Sequence, residues 1–150
     1  MNPTLARFDH PKATVFEYRH WVVLIRPAQP TPLCCVIAAR SNAQSLGTLT
    51  PEEAAELPMV INHFESVVTG IAPARKFNYL ALMMVDPNPH FHAIPRYDQP
   101  VQLGEAQYRD EHYPRPPDML QGLAVDAATL ESWRARLTEG FSEIAARTAR

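Results

Sequence analysis

Residues 14–26, "TVFEYRHWVVLIR", concentrate β-branched and aromatic side chains before the prolines between Pro27 and Pro32 interrupt them, which predicts one strand or two. The apolar run "LCCVIAAR", bounded by prolines and by "SNAQS", predicts a strand buried on both faces. A helix start follows: Thr50 as N-cap, Pro51 at the first helical position and Glu53 to close a capping box. Leu57, Val60, Ile61, Phe64, Val67 and Val68 then recur on one helical face, and Gly70 supplies a stop. Pro58 interrupts this pattern and predicts either a kink or a later true start.

"KFNYLALMMV", residues 76–85, reads as a long apolar strand, "DPNP" as a tight turn, and "HFHAIPRY" as the returning partner. Residues 100–118 are irregular and proline-rich, with "QYRDEHY" a candidate edge strand. Leu130, Trp133, Leu137, Phe141 and Ile144 mark one face of a last helix, with Asp126 as its cap. Strands joined in hairpins with helices attached predict an α+β domain on an antiparallel sheet of about five strands, with two main helices.

Composition narrows the function classes. At 150 residues, 46% hydrophobic and 20% charged, the chain fits a single globular domain spanning residues 1–150. Its net charge is −2 and its 14 basic residues are scattered, so a phosphate-neutralising nucleic-acid surface is not expected. No run reaches the roughly 20 apolar residues of a membrane span, and "MNPTLARFDHPKATV" lacks the apolar core of a secretory signal. Cys34 and Cys35 are adjacent and cannot form an unstrained bridge; they read as buried thiols of a cytoplasmic protein. Fifteen prolines against five glycines imply stiff turns.

The candidate chemistry lies in "DPNPHFHAIPRY". On a strand His90 and His92 face the same way, while Phe91 and Ala93 face the other, and Asn88 joins the histidines if the strand extends back that far. Three readings stand: two polar residues on a wet strand face, two ligands of a metal, or a nucleophile with its helper. A metal needs a third and fourth ligand, and His10, His20, His63 and His112 show no recognisable spacing toward one. Neutral imidazole is a competent nucleophile near pH 7 and can form a phosphoramidate that water later cleaves. A second histidine on the same face can place or protonate the departing group. Tyr18, His20 and Trp21 could line a base pocket, but aromatics at alternating strand positions are more often core, as is the Trp133 face of the last helix.

The stretch "FNYLALMMVDPNPHFHAIPRY" resembles the signature of the histidine triad (HIT) family: three histidines alternating with apolar residues, commonly followed by Pro-Arg. The order of "WVVLIRPAQPTP", "LTPEEAAEL" and "RDEHYPRPPDML" is similar as well, and the likeness runs from about Val15 to Leu120. This resemblance implies a nucleotide-binding α+β domain, often a homodimer, acting as a nucleotidyl hydrolase or transferase at an α-phosphate without a cofactor or structural metal. It implies His90 as nucleophile, His92 near the phosphate and leaving group, and Asn78 as a phosphate or ribose contact. Arg96 is a candidate phosphate contact, set against the plainer reading of a surface or interface charge. Asn88 stands where the first histidine belongs, and Val85-Asp86-Pro87 replaces the usual serine- or glycine-rich phosphate contacts. The expected consequence is weaker orientation of His90 rather than lost chemistry, because part of the support comes from a backbone carbonyl that any side chain leaves in place. The rival expectation is a binding module that keeps the pocket without efficient turnover.

Overall fold

The computed structural model describes residues 2–149. In chain order it contains a short helix α1 (Pro3–Arg7), strands β1 (Thr14–Glu17), β2 (Trp21–Ile25) and β3 (Cys35–Ala39), and helix α2 (Pro51–Ile71). Strands β4 (Lys76–Leu80), β5 (His90–Arg96), β6 (Val101–Leu103) and β7 (Ala106–Tyr108) follow, and helix α3 (Ala127–Thr148) closes the chain. Five strands form one sheet in the order β1-β2-β3-β5-β4, with every neighbouring pair antiparallel. The chain leaves the sheet after β3, crosses it as α2, returns at the far edge as β4 and inserts β5 between β3 and β4.

The capping box predicted at Thr50 forms in both directions, and Asp126 caps α3 by accepting a hydrogen bond from the Thr129 amide. Helix α2 begins at Pro51 and continues through Pro58 to Ile71, so the later start is not adopted. Pro58 removes only the bond to the Ala54 carbonyl, and both residues are exposed, where water can take over that acceptor. The two helices cover one face of the sheet: Val60, Phe64 and Val68 of α2, with Trp133, Leu137 and Phe141 of α3, bury against Trp21, Val23, Ile37 and Ala93. They approach closely at Gly140, where a Cβ would come within 2.6 Å of the Val67 side chain. Tyr18 and Trp21 belong to this core, as does Trp133, which packs on Tyr108.

The opposite face carries a smaller cluster, Val22, Leu24, Val36 and Ala38, covered by Leu5 of α1 with Phe8 beside it. Two expectations change. Strand β4 stops at Leu80, paired with His92, and residues 81–89 form a loop that exposes Leu82, Met84 and Val85. Beyond Leu80 this edge strand has little of β5 left to pair with, and Met83 turns the chain away at φ 45°. Second, of the candidate edge strand "QYRDEHY" only Gln107 and Tyr108 lie in a strand, β7, which pairs with β6 in a separate hairpin whose turn holds Gly104 at φ +65°. The chain's start is anchored as the short helix α1. Among the described residues, no helix is long and apolar enough to cross a membrane.

Candidate active site

Strand register places the histidines. Val36 pairs with His92 and Ala38 with His90, so both imidazoles lie on the smaller-cluster face of the sheet. They are buried, with 4% and 9% exposure, which removes the reading of two polar residues on a wet strand. Their ring centroids are 5.4 Å apart, and the Phe8 ring lies over both, 5.6 Å from His90 and 5.9 Å from His92.

Hydrogen bonding makes the two imidazoles different. His90 Nδ1 lies 2.8 Å from the backbone carbonyl of Asn88. A carbonyl only accepts, so Nδ1 carries the proton and Nε2 presents its lone pair. Arg26 Nε donates to His92 Nδ1 at 3.2 Å, so the His92 proton resides on Nε2. Neither Nε2 has a hydrogen-bond partner among the described residues, and both histidines line a cavity of about 220 Å³. Burial, the Arg26 charge and neighbouring His90 push the His92 pKa down to about 4. At neutral pH His92 is therefore an uncharged donor.

The rest of the cavity wall comes from the end of α1, its C-cap Phe8 and the 81–89 loop, and Arg7 Nε and Asp86 Oδ2 join helix to loop at 2.9 Å. Asn88 itself is fully buried: its side chain accepts from Thr4 Oγ1 and donates to the Ala43 carbonyl. It holds the start of β5 in place and offers His90 its backbone oxygen.

Asn78 and Arg96 meet each other elsewhere. They lie on the same sheet face toward the other end of β5, Asn78 paired with Ile94 and Arg96 two residues beyond it, where Arg96 Nη1 donates to Asn78 Oδ1 at 2.7 Å. Arg96 also forms a buried ion pair with Asp110, Nε to Oδ2 at 2.7 Å, and donates to the Arg115 carbonyl. Neither Asn78 nor Arg96 lines the histidine cavity.

Larger hollows of about 330, 460 and 470 Å³ lie along α3, and their walls carry neither histidine nor cysteine. Among the described residues, no three His, Cys, Asp or Glu side chains gather as a metal site would require.

Solved structures share this arrangement of sheet and helices. A histidine triad protein from Marinobacter aquaeolei VT8 superposes with a TM-score of 0.72 at 20% identity, covering 95% of this chain and 96% of that one. The chain has the histidine triad fold. A histidine triad protein from Bradyrhizobium japonicum gives a TM-score of 0.69 at 21% identity, over 94% and 96% of the two chains. A hypothetical histidine triad nucleotide-binding protein from Sulfolobus tokodaii strain7 gives 0.65 at 13% identity, over 88% and 85%. No family model and no curated protein matches the sequence.

Within the histidine triad fold this chain's cavity has contributors that the reading of its sequence did not single out. Arg26 left a trace, as the charge that ends the apolar run "VVLI" yet stays half-buried. The anchoring of α1 left another in Asn2-Pro3, an N-cap followed by proline at the first helical position. Phe8 left none, because nothing in its neighbours identifies what it covers.

Proposed function

We propose that this protein is a nucleotide-binding hydrolase or nucleotidyltransferase acting at the α-phosphate of a dinucleoside polyphosphate or a nucleoside phosphoramidate. The observation that carries the reading is His90, whose Nδ1 proton is spent on the Asn88 carbonyl and whose Nε2 is left free in the cavity. The Nε2 lone pair attacks the α-phosphorus, a P–N bond forms, and the bond to the leaving group breaks with its electron pair going to that group. His92 Nε2–H donates to a phosphoryl oxygen or the leaving atom. Water then adds to phosphorus as the P–N bond breaks with its electron pair returning to Nε2, one water proton passes to solvent, and the nucleoside monophosphate leaves a restored His90. Asn88 serves through its carbonyl, while Asn78 and Arg96 brace the strand that carries the histidines.

A cavity of about 220 Å³ is smaller than the roughly 300 Å³ at which ligand sites usually begin. Nucleotide entry therefore parts α1 from the 81–89 loop, breaking Arg7–Asp86 and swinging Phe8 away. A homodimer fits the exposed Leu82, Met84 and Val85 beside the unpaired edge of β4, and light scattering tests it. The buried thiols Cys34 and Cys35 suit a reducing cytoplasm.

A panel of dinucleoside polyphosphates and adenosine phosphoramidate, followed by chromatography of products, tests the activity; release of a nucleoside monophosphate is expected. The second reading, a nucleotide-binding module without turnover, is favoured by the Asp86 carboxylate in the cavity wall, which opposes an incoming phosphate unless Arg7 offsets it. Thermal stabilisation by nucleotide with no product would establish that reading.

A further inference from the structure

We propose that Arg26 is a positioning residue that fixes the proton of His92 on Nε2, and so makes His92 the hydrogen-bond donor beside the His90 nucleophile. The inference rests on the reading that His92 assists phosphoryl transfer. Arg26 follows the last residue of β2 and shares the face of Leu24, from which its side chain crosses β3 to reach β5. Nη1 is anchored on the Ala28 carbonyl at 2.8 Å, and Nε points at His92 Nδ1 at 3.2 Å. A guanidinium donates and never accepts, so the nitrogen facing it must be the one without a proton. The adjacent His90 is held in the opposite tautomer by a group that only accepts. Two identical side chains, two residues apart, are thereby assigned an attacking lone pair and a donated proton by their neighbours. The charged and titratable groups facing His92 are Arg26, His90 on its own strand and, across the cavity, Arg7 from α1 and Asp86 from the loop.

The test is nitrogen-15 NMR of the imidazoles in ligand-free wild type and Arg26→Met, with kcat and KM measured on whichever substrate turns over. In wild type His92 shows the Nε2–H pattern and stays neutral well below pH 6. Arg26→Met should populate the Nδ1–H form and protonate at higher pH, with kcat falling roughly 10- to 100-fold and KM changing little. If Arg26 only supplies charge to the phosphate, KM rises while the tautomer is unchanged, and the proposal falls. Should the variant not fold, the wild-type spectrum decides, since Nδ1–H on His92 overturns the proposal. The spectrum needs no substrate, so a protein that turns over no nucleotide would defeat the catalytic reading without deciding this one.

Discussion

Strand β5 carries buried polar side chains toward both ends of one sheet face, and the two ends are built on opposite plans. At the Arg96 end four of the five guanidinium donors are spent: Asp110 takes two, Asn78 one and the Arg115 carbonyl another. Asp110 in turn accepts from the amides of Tyr97, His112 and Tyr113, so the irregular segment after β7 is tied to the sheet through one ion pair. At the His90–His92 end each ring has one nitrogen committed to a neighbour and one left without a partner, facing a cavity. The unspent nitrogens face a cavity that a ligand can reach, so chemistry is expected there, and the buried, ion-paired arginine is where stability is expected.

Substitutions at the two ends should therefore fail differently. His90→Ala should lower turnover by at least about 10³-fold while far-UV circular dichroism shows an intact fold. Equal loss of structure would erase the contrast. Asp110→Ala should cost about 3–5 kcal/mol in chemical denaturation, because it leaves the Arg96 guanidinium buried and unpaired. Its folded fraction should keep specific activity within about threefold of wild type, and a far larger loss would bring Arg96 into the reaction.

Acid sharpens the same contrast. His92 binds its proton more weakly in the folded chain than the ordinary 6.5 allows, so the unfolded chain protonates first. Stability should fall as pH drops from about 6.5 toward about 4, and His92→Gln should flatten that part of a denaturation series. An unchanged profile would show that the cavity already hydrates the ring. The smallest effect is expected from Asn88→His, which restores a third histidine. It forfeits hydrogen bonds to Thr4 and Ala43 at about 1–2 kcal/mol, while the backbone oxygen that holds His90 stays in place. Turnover should hardly change; a large gain would mean that the side chain, not the carbonyl, provides the missing support.

Features with a local cause were legible in the sequence. The Thr50-Pro51-Glu53 cap, the apolar face of α3 and the shared side of His90 and His92 each follow from residues within a few positions of one another. Features that depend on distant partners were not. The end of β4 at Leu80 is set by how much of β5 remains to pair with it, and "LMMV" alone looks like more strand. Arg96 looked like a phosphate contact or a surface charge because its partner, Asp110, comes from an irregular segment whose path no periodicity reveals. The cover over the histidines escaped notice for the same reason: α1 has five residues, too few to display an amphipathic period.

If His90 is the nucleophile, its Nε2 forms a bond to phosphorus during turnover. Rapid mixing with adenosine phosphoramidate or a dinucleoside polyphosphate, a quench at alkaline pH and tryptic digestion would isolate residues 77–96, the peptide bearing both histidines, for fragmentation by mass spectrometry. One nucleotidyl group is expected on His90, lost in acid and absent in His90→Ala. Steady turnover with that peptide always unmodified, or modified at His92 instead, would contradict it.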